Sequence, residues 1–365
     1  MSELAEELTR LTCDLIRFET IAGRPDQLQA AIDYVTTYLA DVPGIYLEQS
    51  SAEGKPALVV TLRPTRAPRL MLNGHLDVVV GQLHQFAPEV RGGRIYGRGS
   101  QDMKGSVAVM MRLIRDLAAR PHPPDVGFQF VTDEEIGGRN GTGRLRDEGW
   151  RCEFMLCLEP TDLGILFEHK GGMWAKLRIP GRAAHGSRPW EGDNPIYRLT
   201  QGITAITERY PPPTGPYDWR TSVTPTEIWV GAGSRNQVPA EALVMFDIRW
   251  TADTTPEAIQ ADLQAVFPTA EFVSVMASAG LRTDPEHHEV GRIAELIERH
   301  TGQPPRFYRE HFATDARYYS HIGVPAICLG PVGQGLHSAE EWVEIASLVT
   351  LYQIITSYID TMREQ

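Results

Sequence analysis

The sequence predicts an α/β protein: a mainly parallel mixed sheet flanked by helices, interrupted by a smaller inserted α+β domain. Three observations carry this. Short apolar runs alternate with helical stretches before residue 170 and again after Arg282, the pattern of a parallel sheet with crossover helices. Clusters rich in His, Asp and Glu follow those runs directly, at the carboxyl strand ends where open α/β sheets gather function. From Gly171 the order changes to strand, helix, two strands, helix and strand, a unit of its own.

Taken in order, residues 1–40 alternate charged and aliphatic residues at helical spacing. They predict two amphipathic helices broken near Gly23-Arg24-Pro25. Ala57 to Leu62 and Arg69 to Asn73 are strand candidates, followed by a helix from Lys104 to about Ala119. Val126 to Val131 and Phe154 to Leu158 are two more strands. In the insertion, Met173 to Ile179 predicts a strand, Asn194 to Glu208 a helix, and Pro211-Pro212-Pro213 a sharp break. Strands at Glu227 to Gly231 and Ala242 to Trp250 come next. Pro256 marks the first turn of a helix, and Glu271 to Val275 closes the unit. The α/β pattern then resumes with a helix at Glu286 to His300, a strand at Ala326 to Leu329 and a helix from Ile345. The expected domains are therefore 1–170 with 282–365, and an insertion at 171–281.

Composition excludes several classes. A content of 42% hydrophobic and 22% charged residues is that of a soluble globular protein. The net charge of −12 repels phosphate backbones, so nucleic acid is not an expected partner. The N-terminal stretch lacks the basic start, apolar core and cleavage site of a signal peptide. No apolar run has the length of a membrane span. Cys13, Cys152, Cys157 and Cys328 are scattered without a CxxC pair and are expected to be buried, reduced thiols. The expected location is the cytoplasm.

The chemistry lies in the polar clusters. Gly74-His75-Leu76-Asp77 closes a strand. Positions two apart on a strand face the same way, so Asp77 is expected to hold the ring nitrogen that His75 turns away from a metal. A strand-end salt bridge is the alternative. Asp102, within Gly97 to Gly105, stands before a helix, where an aspartate is ordinarily an N-cap. That glycine-rich loop lacks the spacing and the ending of a phosphate loop. Asp133-Glu134-Glu135 sets three carboxylates side by side, and these repel unless cations or protons intervene. One can bind a metal while its neighbour accepts a proton from water; a solvated turn is the alternative. Glu159 follows the run that ends at Leu158, and His337 is expected to end the strand after Pro325. Two histidines with three carboxylates form a set that suits zinc, with cobalt or manganese as substitutes.

In this order and spacing, the chain resembles the metallopeptidase family of acetylornithine deacetylase, succinyl-diaminopimelate desuccinylase, aminoacylase and glutamate carboxypeptidase. The matches run from His75 to His337 and span nearly the whole chain. The resemblance implies two zinc ions per chain. His75 and Glu159 hold the first, Glu135 and His337 the second, and Asp102 bridges both. Glu134 is then the general base and Asp77 the orienter of His75. The insertion becomes a lid and homodimerisation domain, in which His185 of Gly181 to Ser187 reaches the partner subunit's site. Asn236 and Arg249 match groups that hold a substrate carboxylate, and Thr314 lies in the substrate pocket. Two departures stand out: Val80 where the family often has proline, and His311 to Arg317, which lacks glycines before its Thr-Asp pair. The implied reaction is deacylation of an N-acyl amino acid, the alternative being a dipeptidase or glutamate-type carboxypeptidase. A metal-binding scaffold is disfavoured, because Glu134 would have no structural task.

Overall fold

The computed structural model describes residues 2–231 and 233–362. The chain divides into two compact units. The first comprises the chain up to Glu168, Leu281–Arg309 and the chain from Thr314 onward; the second is His169–Gly280 with Glu310–Ala313. The short stretch Glu310–Ala313 departs from the expected boundaries, and its hydrogen bonds give the reason. Lys170 donates its backbone N–H to the Glu310 carbonyl at 3.2 Å, and His311 Nε2 lies 3.0 Å from the Pro216 carbonyl.

In the first unit, four strands run parallel in the order Val126–Val131, Leu70–His75, Phe154–Cys157, Ala326–Cys328. Lys55–Thr61 and Tyr46–Ala52 extend one side antiparallel. Ile165–His169 and Leu281–Arg282 extend the other. The sheet is mixed around a parallel core, as the alternation of runs and helices predicts. Every residue of Leu70–His75 and Val126–Val131 is buried, because helices cover both faces. Leu70 and Leu72 pack with Leu8 and Leu15 of helix Glu3–Ile16 and with Val107 of helix Gly105–Ala118. Met71, one residue out of phase, joins the opposite core with Trp150 and Tyr319.

A smaller sheet of Glu89–Arg91, Arg94–Tyr96, Trp342–Glu344 and Gly333–Gln334 was not legible in the sequence. Strands this short carry no hydrophobic period. The two N-terminal helices, Glu3–Ile16 and Pro25–Tyr38, flank the predicted break. The cysteines are all free; Cys157 and Cys328 are buried, but Cys13 and Cys152 are only half-buried.

The second unit is an antiparallel sheet in the order Ser222–Val230, Glu241–Trp250, Gly171–Pro180, Glu271–Ser278. Gly171–Pro180 and Glu241–Trp250 alternate buried and less buried residues. Their buried faces pack Leu177, Val244 and Phe246 against Leu199 and Ile206 of helix Pro195–Arg209 and Leu263 of helix Pro256–Val266. Pro256 stands in the first turn, and the Thr255 hydroxyl caps it by accepting from Ala258 N–H at 3.2 Å. Among the described residues, no helix is long and apolar enough to cross a membrane.

Candidate metal centre

Strand register builds the site. Leu70–His75 lies between two parallel neighbours, and His75, its last residue, pairs with Val131. The short turn Glu134–Ile136 therefore begins just beyond the level of His75. On the other side Asn73 pairs with Cys157, the last residue of its strand, and Glu159 lies two residues beyond that end, beside His75. Two ligand candidates reach this edge differently. Asp102 belongs to the turn Ser100–Lys104 before helix Gly105–Ala118. It is not the N-cap that its position suggests: Lys104 takes that place, with no side-chain cap bond, and the Asp102 carboxylate faces the histidines instead. His337 follows Gly333–Gln334 of the small sheet rather than ending Ala326–Cys328, a correction to the expected placement.

Four carboxylates and two imidazoles converge in two groups, His75/Glu134/Glu159 and Asp102/Glu135/His337, with ligand atoms inside each group within 4.8 Å of one another. Asp102 faces both groups. Its Oδ1 is 3.0 Å from His75 Nε2 and its Oδ2 3.5 Å from His337 Nε2. Glu159 Oε2 lies 3.9 Å from His75 Nε2, and Glu135 Oε2 lies 3.3 Å from His337 Nε2.

These residues fit cations. Glu159 Oε1 is buried and has no hydrogen-bond partner among the described residues, an arrangement that costs about 1–3 kcal/mol unless a ligand satisfies it. Burial pushes the Glu134 and Glu159 carboxyls well above the usual range. The hydrogen bonds that His337 donates to Asp102 and Glu135 raise it to about 10. Burial also raises Asp102, but its hydrogen bonds to His337 and His75 outweigh this and hold it low. Without a cation, protons balance the crowded charge; a metal takes their place when it binds.

Asp77 supports His75 in a different way from the expected carboxylate contact. The strand ends at His75, so the chain turns, and His75 Nδ1 donates to the Asp77 backbone carbonyl at 2.9 Å. The Asp77 carboxylate is 3.6 Å from that nitrogen and instead accepts the Glu135 N–H at 3.0 Å. Burial raises Asp77 to about 7.

Several groups that the sequence did not single out hold these loops. Gly138 has φ +63°, and a Cβ there would lie 1.9 Å from Asp315 Oδ1, so only glycine fits. Arg317, almost fully buried, donates to the carbonyls of Thr314 and Gly137, both at 2.7 Å. Tyr318 donates its hydroxyl to the same Gly137 carbonyl at 2.6 Å. Thr314 is itself buried, with its hydroxyl 3.4 Å from Cys328 Sγ. Arg98 and Glu341 form a buried ion pair behind Asp102. No local signal marks that pair, since 243 residues separate its members.

The other predicted residues belong to the second unit. Ala184–His185 pairs with Gln237–Val238. Asn236 Nδ2 donates to His185 Nε2 at 3.0 Å, and His185 Nδ1 lies 2.7 Å from Ser187 Oγ. Arg249 donates Nε and Nη2 to the Asp247 carboxylate at 2.8 and 3.0 Å. Trp174 Nε1 donates to Asp247 at 2.8 Å.

Residues 71–361 match the model of peptidase family M20/M25/M40. The chain is a member of that family. It is 30% identical to the succinyl-diaminopimelate desuccinylase of Xylella fastidiosa (strain M12), over 96% of this chain and 97% of that protein. The fold is shared with aminopeptidase PepT from Bacillus cereus, with a TM-score of 0.79, 17% identity and coverage of 97% of this chain and 98% of that one. It is also shared with the Bacillus subtilis YXEP protein, described as a dinuclear metal-binding peptidase from the M20 family, at a TM-score of 0.69, 12% identity and 99% coverage of both chains. As an M20 member the chain is a metal-dependent enzyme that hydrolyses amide bonds, and two clusters of side chains able to hold metal ions stand in its first unit.

Proposed function

We propose that this chain is a dizinc amide hydrolase that removes an acyl group from an N-acyl amino acid, as a desuccinylase or deacetylase does. The observation that carries this is Asp102, whose two oxygens face the two histidines from between the two ligand groups. In this reading His75 and Glu159 would hold one zinc and Glu135 and His337 the other, with Asp102 serving both; cobalt or manganese could substitute. When bound, two such ions supply Lewis acidity toward a carbonyl and acidify water. The Asp77 carbonyl keeps the proton of His75 on Nδ1, so Nε2 carries the lone pair toward the ligand group. Glu134 takes the proton of the attacking water and delivers it to the leaving amine nitrogen.

Substrate choice rests on the second unit. A chain of net charge −12 has no long-range attraction for an anion, so a carboxylate needs local donors. Asp247 occupies the side edge of the Arg249 guanidinium and leaves the end-on edge for a second carboxylate. With Asn236, this edge is the proposed clamp. The expected substrate therefore carries a free α-carboxylate beside the cleaved amide. Assay of acetyl, succinyl and dipeptide substrates with added zinc or cobalt, each as free acid and as amide, tests the reading. Free acids should be cleaved far faster, and Arg249→Ala should narrow the gap. Equal cleavage of both forms by the wild type would move an aminopeptidase-like reading ahead, and a preference for dipeptides the dipeptidase one.

We further infer a cytoplasmic homodimer built through the second unit, with His185 acting across the interface as an oxyanion donor. His185→Ala should lower turnover more than metal content. Mixed dimers of His185→Ala with Glu134→Gln subunits should regain part of the activity. Verified mixed dimers without any recovery would confine His185 to its own subunit or remove it from catalysis.

A further inference from the structure

We propose that the buried Arg98–Glu341 pair is a positioning device for the metal group formed by Asp102, Glu135 and His337. The inference rests on the two-metal reading above and concerns residues that touch no substrate.

The side-chain hydrogen bonds of the pair reach the two loops that carry Asp102 and His337. Glu341 Oε1 accepts the backbone N–H of Gln101 at 3.1 Å and of Asp102 at 3.2 Å. Its Oε2 accepts from Arg98 Nη1 at 2.5 Å. The second terminal nitrogen of Arg98 donates at 3.1 Å to the carbonyl of Ser338, the residue after His337. Gln85 Nε2 donates to that carbonyl as well, at 3.0 Å. One ion pair thus ties the backbone of Asp102 to the backbone beside His337.

The His337 loop needs such a tie. Its φ is +58°, a region that a residue with a side chain seldom adopts unless its surroundings impose it. Without a fixed backbone, the His337 ring would lose its place opposite Asp102 and Glu135. Stability alone does not explain the pair. Its side chains are 3% and 1% exposed, and a buried ion pair is often replaced by apolar residues at little cost to the fold. What apolar residues cannot supply is a carboxylate for two N–H groups and a donor for the Ser338 carbonyl. Partners that orient metal ligands commonly change metal affinity 10- to 100-fold when removed.

The test compares wild type with the double variant Arg98→Met/Glu341→Leu, which removes both charges together, and uses zinc alone as the probe. Calorimetric titration should show the first zinc bound as in wild type and the second weakened by about 10- to 100-fold. The melting temperature of the zinc-free protein should stay near that of wild type, while the rise on adding zinc shrinks. Should the double variant not fold, Arg98→Met/Glu341→Gln is read in the same way: it keeps an acceptor for the two N–H groups and removes both charges, but it takes away the donor to the Ser338 carbonyl, so the tie between the loops is still broken. Two zinc ions bound with wild-type affinity in the folded variant would overturn the role of the pair. A wild type that binds only one zinc would instead overturn the two-metal reading, and this inference with it.

Discussion

Glu134→Gln should lose about two to four orders of magnitude in turnover while keeping the metal content of the wild type. The substitution preserves shape and removes only the ability to take up a proton. The geometry makes the experiment decisive, because Glu134 stands with His75 and Glu159 in one ligand group, within 4.8 Å. A carboxylate so placed has two possible tasks, base or ligand. Burial raises its carboxyl well above the ordinary range in the cation-free site, and a nearby cation would favour the ionised form that a base requires. If Glu134 is the base, elemental analysis of the variant matches the wild type. Metal content that falls together with turnover would reassign it as a ligand, and wild-type turnover would remove it from the chemistry.

The second large effect is expected at Asp102. Protein purified without chelator should approach two zinc ions per chain on the dizinc reading, and Asp102→Ala should hold one at most, with turnover nearly abolished. The two Asp102 oxygens lie 3.0 and 3.5 Å from the two imidazoles, so on the bridging assignment alanine removes a ligand of both metals at once. Its loss also frees His337, which Asp102 and Glu135 together raise to about 10. The measurement is metal analysis by mass spectrometry after dialysis against zinc-containing buffer. Full retention of two ions by Asp102→Ala would end the bridging assignment.

Much of the site was legible because it is built from residues next to strand ends. His75, Glu134, Glu135 and Glu159 each follow an apolar run, and parallel register brings three such ends together. The carboxylate triplet after Val131 is also a local signal, since like charges in sequence call for cations or protons. His337 carried a signal in its residue type but not in its placement. The strand Ala326–Cys328 ends early, and this candidate ligand arrives on the loop of a second sheet.

The sequence by itself determined the elements and the chemistry. Hydrophobic period marks most of the long strands and helices, because burial of one face is a local pattern in the chain, but Tyr46–Ala52 and Ile165–His169 were not among the predicted strands. The kinds of side chain limit the reaction, because only carboxylates and imidazoles in such number call for cations. Tertiary structure alone decided how the candidate ligands are held. The Asp77 carbonyl, rather than its carboxylate, takes the His75 proton because the strand ends at His75. Glu310–Ala313 joins the second unit through hydrogen bonds to Lys170 and Pro216. Arg98 meets Glu341 across 243 residues to tie two loops together. Such contacts follow from distances closed by the fold, and no window of neighbouring residues carries them.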